Sequence, residues 1–404
     1  LISFPNIPTK KIAVKLKPSA EVLVKKGHPW VFENSIVKQN KEGNTGDLVI
    51  IFDNRKNQFL AVGFYDPNSP IRIKILQANK PATINAEWFA AKVQEAYNKR
   101  SPLLETDTNS YRLIYGENDH LPSLVADVYD SVLVVKLYAS YWFYYLKDML
   151  PALQQISKAK TTVLRLSRNV QKEGNAFGFT DGQIIDGELD NEVIIFKEHG
   201  VKFSANVIRG HKTGYFLDHR ANRKKVGELS KNKTVLDVFS YAGGFSVHAL
   251  VGGAKQVTSL DISAPALEIA KSNAKLNTYS GTHNIIVGDA FEELNHLAKA
   301  KQKFDIVVID PPSFAKSAAE IGRAITSYKK LTQLGLQLVN KKGLLVLASC
   351  SSRVTSEIFF DLVEETLLRN NAKYKILEQT LHDIDHPIGF KEGAYLKCIY
   401  VRID

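Results

Sequence analysis

From about residue 232 onward, short apolar runs alternate with helical stretches, and this alternation constrains the fold more than any other feature. The runs are TVLDVFS (234–240), QVTSLDIS (256–263), NIIVGDA (284–290), FDIVVIDPP (304–312) and GLLVLASC (343–350). Each is short and mostly rich in β-branched residues, as buried strands are. Strand–helix alternation predicts an α/β fold with a doubly wound, mainly parallel sheet. In such sheets, ligands bind outside the carboxyl ends of the strands. Four successive runs carry an acidic residue at or near that end: Asp237, Asp261, Asp289 and Asp310. Any one of them could be a helix N-cap. Four in succession, with a glycine turn after the first, favour a nucleoside cofactor.

The first run leads into SYAGGFSVHAL, where Gly243 and Gly244 would let the backbone approach a ligand closely. The turn is neither G-x-G-x-x-G nor a phosphate loop ending in Lys-Ser/Thr. About twenty residues later, Asp261 is suited to accept hydrogen bonds from both ribose hydroxyls of an adenosine. After the fourth run, Pro311 and Pro312 stiffen a loop in which Asp310 can face the ring edge of a base. Cys350 ends the fifth run and is one of only two cysteines, with Cys398. By position alone, it reads as a small hydrophobe in the core. Cys398, inside the strand-like YLKCIYVRI, reads the same way. His211 and His219 have no Cys/His cluster at ligand spacing around them, so no metal site is expected.

Two cysteines cannot build a disulfide framework and suit a reducing, cytoplasmic setting. Apolar residues make up 44% and charged residues 24%, as in ordinary globular proteins. No apolar stretch approaches a membrane span, and nothing at the N-terminus reads as a signal peptide. The sequence begins at Leu1, so a short native leader is expected to be missing. Net charge is +11. Residues 1–80 carry 13 Lys and Arg against 6 Asp and Glu. That local excess of +7 points to a polyanionic partner, most simply nucleic acid, or to a well-solvated lysine-rich surface.

The same N-terminal segment is strand-like. KIAVKLKP, DLVIIF, FLAVGFY and IRIKIL are short, β-rich and broken by Gly, Asn and Pro, which predicts a small β-barrel over residues 1–78. NKPAT reads as a linker. Residues 79–199 predict a middle α+β domain, with one helix over AEWFAAKVQEAYNKRSPLL and another from Trp142 to Lys158. Residues 200–404 hold the Rossmann-like domain.

Seven blocks then align in order with one family: KKGHPWVFENSI, RLIYGENDHLPSLVADVYD, HKTGYFLDHR, DVFSYAGGFS, IDPPSFAKS, ASCSS and DHPIGFKEGAYLK. The chain resembles the PUA-domain-containing bacterial 23S rRNA cytosine-5 methyltransferases, which are class I S-adenosylmethionine-dependent enzymes. The resemblance covers nearly the whole chain. It implies a PUA barrel for RNA, a middle module and a methyltransferase domain with S-adenosyl-L-methionine as cofactor and 23S rRNA as partner. It implies Cys350 as the nucleophile, which reverses the reading from position alone, with Asp310 as its catalytic partner on the base. It implies cofactor contacts at Asp237, Tyr241, Gly243, Gly244, Asp261 and Asp289, with Asp218 and Arg220 at the methionine end. It implies base contacts at Lys212, Phe216, Pro311, Pro312 and Phe314. Relative to two-cysteine RNA methyltransferases, Ser313 stands where a second thiol would follow the prolines, so the base that removes the C5 proton is not assigned. A homodimer is compatible with the sequence, which does not set the oligomeric state. Two rivals remain: an rRNA guanine or adenine methyltransferase needing no thiol, and a non-catalytic RNA-binding protein.

Overall fold

The computed structural model describes Phe4 and residues 7–404. They form two compact units. The first holds the described residues up to Lys197, together with Ser204–Leu217 and Ile384–Gly393. The second holds Glu198–Phe203, Asp218–Asp383 and Ala394–Asp404.

The first unit opens with β1 (Lys11–Leu16), helix α1 (Pro18–Lys25), β2 (Trp30–Val31), β3 (Ile36–Gln39), β4 (Leu48–Phe52), β5 (Phe59–Tyr65) and β6 (Ile73–Ala78). These strands form one sheet in the order β2-β6-β5-β4-β1-β3. In β1, alternate residues Ile12, Val14 and Leu16 are buried, as the two-residue period of a strand requires. A five-stranded sheet follows: β7 (Ser110–Tyr115), β8 (Leu124–Tyr129), β9 (Val132–Leu137), β10 (Thr161–Leu166) and β11 (Gln183–Asp186), ordered β11-β10-β9-β8-β7. Helices α2 (Ala86–Leu104), α3 (Leu146–Ser157) and α4 (Gln171–Ala176) accompany it. Leu48, Val62, Phe64 and Leu76 of the first sheet share one hydrophobic cluster with Phe89, Tyr141, Trp142 and Tyr145.

Helix α2 matches its sequence expectation residue for residue, capped by the Asn85 side chain, which accepts from Trp88 N at 3.0 Å. The helix expected from Trp142 begins only at Leu146. Ser140–Tyr144 form a 3-10 turn instead. Tyr141, Trp142 and Phe143 are all buried, and three consecutive residues cannot share one face of an α-helix. The Tyr141 hydroxyl and Trp142 Nε1 both donate to the Pro122 carbonyl, at 2.9 and 2.7 Å, and fix the tighter turn.

After the two-stranded pair β12 (Val193–Glu198) and β13 (Val201–Asn206), the second unit is built on one sheet. Its strands are β14 (Thr234–Val238), β15 (Gln256–Asp261), β16 (Thr282–Val287), β17 (Phe304–Ile309), β18 (Val339–Ser349), β19 (Tyr374–Thr380) and β20 (Lys397–Ile403). The order is β16-β15-β14-β17-β18-β20-β19. The first five are parallel, and β20 runs antiparallel to both β18 and β19. Helices α5 (Arg220–Leu229), α6 (Gly244–Val251), α7 (Ala264–Lys275), α8 (Ala290–Lys299), α9 (Ile321–Leu338) and α10 (Ser356–Arg369) flank or connect the strands. The strand order reverses at β14, with β15 on one side and β17 on the other, which creates a crevice at their carboxyl ends. The doubly wound, mainly parallel sheet expected from the alternation is therefore present.

Candidate active site

The turn between β14 and α6 forms one wall. Phe239, Tyr241 and Gly243 take positive φ values of 62°, 47° and 77°. Two acids hold this strained path. Asp261, the last residue of β15, accepts from Tyr241 N through Oδ2 and from Ser263 N through Oδ1, both at 2.9 Å. Asp237 lies one residue inside β14, and its Oδ2 accepts from Ser246 N at 2.9 Å and from Ser246 Oγ at 2.6 Å. Its other oxygen, Oδ1, is buried without a hydrogen-bond partner. Burial pushes this carboxyl up to about 7 against the two Ser246 bonds, and Asp310 and Asp261 push the same way. From Ser246 a line of hydroxyls continues to Ser259 Oγ at 2.6 Å and His283 Nε2 at 2.8 Å. Gly243 is required for two reasons apart from any ligand. Its φ is left-handed, and a Cβ there would sit 2.7 Å from the Ala270 Cβ of α7.

The opposite wall is made by the ends of β17 and β18. Ile309 pairs with Leu347, so Asp310 and Cys350 follow neighbouring strands to the same rim. The Cys350 thiol lies 3.8 Å from the Pro311 carbonyl, and the Ser351 hydroxyl 3.5 Å from that of Ala315. These contacts tie the S-C-S turn to the D-P-P loop. Cys350 is partly buried and Cys398 fully buried. Burial pushes the Cys350 thiol up to about 12; Asp310 and Asp218 add to this, and Lys397 opposes it.

Asp310 Oδ1 stands 3.3 Å from Nε2 of His219, which is buried. Burial works against charge on that imidazole, but Asp310 outweighs it and raises the group above its ordinary value. Asp218 accepts from the Tyr395 hydroxyl at 2.7 Å. Arg220 is wholly buried and pairs with Asp383 at 3.2 Å. Asp289 is exposed and acts as the cap of α8, its Oδ1 accepting from Phe291 N and Glu292 N at 2.9 and 3.1 Å. Pro311 is buried and Pro312 exposed. Phe314 turns onto Tyr328, with ring centroids 5.2 Å apart, and packs against the core. Gly244 is the first residue of α6. Lys212 and Phe216 belong to the other compact unit, where both are exposed. The residue reading gave no site role to Ser246, Tyr395 or Lys397, and weighed His219 only as a metal ligand. All four lie inside blocks that resemble the family, but only the fold brings them beside Asp310, Asp237, Asp218 and Cys350.

This rim fits a nucleoside cofactor that carries positive charge. Asp218, Asp237, Asp261 and Asp310 make it acidic, and the buried Asp237 Oδ1 is an acceptor lacking a donor. Among the described residues, no group of three or more His, Cys, Asp or Glu side chains is placed to hold a metal ion. Nor is any described helix long and apolar enough to cross a membrane.

Comparison with known proteins agrees with this geometry. Residues 112–396 match the S-adenosylmethionine-dependent methyltransferase family, and residues 14–78 match the PUA-like domain. A Deinococcus radiodurans protein named ribosomal RNA large subunit methyltransferase is 40% identical over 100% of both chains. Ribosomal RNA large subunit methyltransferase I of Escherichia coli (strain UTI89) is 34% identical over 93% of this chain and 95% of its own. Among solved structures, a chain from Streptococcus mutans described as a SAM-dependent methyltransferase superposes with a TM-score of 0.81 at 21% identity, covering 96% of this chain and 99% of its own. A second methyltransferase structure, complexed with SAH, gives a TM-score of 0.80 at 21% identity over 98% and 100%.

Proposed function

This chain belongs to the S-adenosylmethionine-dependent ribosomal RNA large subunit methyltransferases, and on that premise we propose that it makes 5-methylcytosine in 23S rRNA through a covalent adduct on Cys350. The observation that carries the reading is the pairing of Cys350 with the D-P-P loop, its thiol 3.8 Å from the Pro311 carbonyl at the cofactor rim. When bound, the cofactor supplies an electrophilic methyl group. The chain's own residues do the rest. Asp261 and the β14–α6 turn hold the nucleoside, and Asp237 Oδ1 accepts a donor from the methionine end. Asp218 and Arg220 border that same end.

C5 of cytosine is a poor nucleophile. The Cys350 thiolate adds to C6, and the electron pair of the C5–C6 double bond becomes available at C5, which takes the methyl group. The C5 proton then leaves, the double bond re-forms and the carbon–sulfur bond breaks, returning the thiolate. Asp310, held beside His219, accepts a hydrogen bond from the N4 amino group and so orients the base. Pro311 and Pro312 keep that side chain fixed. A base in a duplex cannot reach such a thiol, so the target cytosine is unpaired or turned out of its stack. The basic PUA-like barrel supplies phosphate contacts. Acting on rRNA, the enzyme works in the cytoplasm.

Nucleoside mass spectrometry of methylated 23S rRNA tests this reading. The wild type should yield 5-methylcytosine and form a covalent complex with RNA carrying 5-fluorocytosine, because fluorine cannot leave as the C5 proton does. Cys350→Ala should bind the cofactor normally and lose methyl transfer. A methylated guanine or adenine as product, or near wild-type activity in Cys350→Ala, would overturn it.

A further inference from the structure

On the proposed reading Asp310 faces the target base, and the residue beside it is buried behind the rim. Asp310 Oδ1 stands 3.3 Å from Nε2 of His219, which leads into α5. His219 is 5% exposed, and its ring packs edge to face with Phe245 of α6, centroids 5.5 Å apart. Its Nε2 is buried and makes no aligned hydrogen bond. What Nε2 can do for Asp310 depends on which ring nitrogen carries the proton. That is set by what the other nitrogen meets.

Nδ1 meets Asn222 of α5, whose Nδ2 lies 3.2 Å away. The oxygen of the same amide is engaged on its far side. Thr380 Oγ1, at the end of β19, donates to Asn222 Oδ1 at 2.7 Å, and the Tyr400 hydroxyl of β20 donates to it at 3.0 Å. With two hydroxyls on its oxygen, the amide turns its NH2 group to the imidazole. An amide nitrogen donates and does not accept, so Nδ1 is the bare nitrogen and the ring proton sits on Nε2. The reversed amide would leave a bare Nε2 against the Asp310 oxygen, two acceptors facing each other in a buried place. Burial and the Asn222 amide work against a second ring proton, and Asp310 works for one. Nε2 is protonated in both forms.

We infer that His219 is a positioning residue for Asp310: its Nε2–H, set by Asn222 and through it by Thr380 and Tyr400, holds Oδ1 and leaves Oδ2 to take the amino group of the base. The inference deepens the proposed reaction and rests on it for the role of Asp310; the tautomer of His219 does not, and it can be read without RNA. A carboxylate at a strand end is free to rotate, and a donor on one oxygen fixes its plane. The base then meets an acceptor already in place. The 3.3 Å contact is not yet aligned, and such bonds tighten when a substrate is seated.

The tautomer is read by 15N NMR of the full chain labelled at histidine, with His219 assigned by the signals lost in His219→Gln. Nε2 should carry a proton. A bare Nε2 with the proton on Nδ1 would overturn the inference. Kinetics test the consequence. His219→Leu should lower kcat for methyl transfer to 23S rRNA by about tenfold or more, with KM for the cofactor unchanged. His219→Gln, whose amide N–H can stand in place of Nε2–H, should recover most of that loss. Equal losses in the two variants, or none in His219→Leu, overturn the inference and leave His219 as packing for Phe245. If His219→Leu does not fold, Asp310→Asn decides. The Nε2 signal of His219 should move when the carboxylate becomes an amide, and an unmoved signal overturns the pairing. An Asp310→Asn enzyme that methylates at the wild-type rate would reject the base contact of Asp310, while the Nε2–H tautomer stands.

Discussion

On the proposed reading, Asp261 serves fold and ligand together. Its two oxygens already accept from Tyr241 N and Ser263 N, so they shape the turn before any ribose arrives. Asp261→Ala should therefore weaken S-adenosylmethionine binding by more than the ~1.5–3 kcal/mol of a charged hydrogen bond, because the turn also loses its anchor. Calorimetry checks this, and an unchanged affinity in a folded variant would remove Asp261 from the site. Asp237 makes a different prediction. Its carboxyl, at about 7 in the folded chain, binds its proton more tightly there than in the unfolded chain. The stability this contributes is fully present below about pH 4 and is lost as pH rises toward 7. Between those values the cofactor-free wild type should lose on the order of 2–4 kcal/mol relative to Asp237→Asn, measured by urea unfolding. Parallel pH profiles for the two proteins would show that the buried oxygen finds a partner in solution.

Among the elements, the β14–α6 turn is the least tolerant. Gly243→Ala would place a left-handed alanine against Ala270, at a backbone cost of about 1–2 kcal/mol before any clash is relieved. We expect a lower melting temperature and weaker cofactor binding together, since the turn must shift away from α7. An unaltered melting temperature would mean that α7 gives way instead. The strand–glycine–helix pattern located this turn correctly but offered ligand approach as the reason for its glycine, whereas the contact with α7 is visible only once two helices are packed. The 3-10 turn at 140–144 has a similar origin. Apolar spacing suggested a helix, and two side-chain bonds to the Pro122 carbonyl decided otherwise.

At the scale of the molecule, the basic barrel and the segment after it share a hydrophobic cluster, with Phe64 stacked on Tyr141 at 4.6 Å. Deleting residues 1–78 would strip that core, so loss of RNA binding in such a truncation would be ambiguous. Charge removal is the cleaner test of the barrel's role. Lys25 and Lys26 are exposed at the end of α1. Lys25→Gln with Lys26→Gln should weaken rRNA binding and lower its salt dependence, by a slope of about one for each phosphate no longer neutralised, with cofactor affinity intact. Salt-titrated binding with an unaltered slope would take these lysines out of the interface.

The parallel sheet, the acidic carboxyl rim, the glycine turn and the position of Cys350 at a strand end were all legible along the chain. Those features are local: strand period, turn chemistry and spacing are written within a few residues of one another. What surrounds them was not legible, because it depends on packing. The folded chain sets His219 against Asp310, runs Ser246 and Ser259 from Asp237 to His283, rests Phe314 against the core, and brings Lys397 to the turn of Cys350 from 47 residues downstream. Charge and hydrogen-bond partners act over a few ångströms in space, and strand pairing places residues there that no spacing along the chain connects.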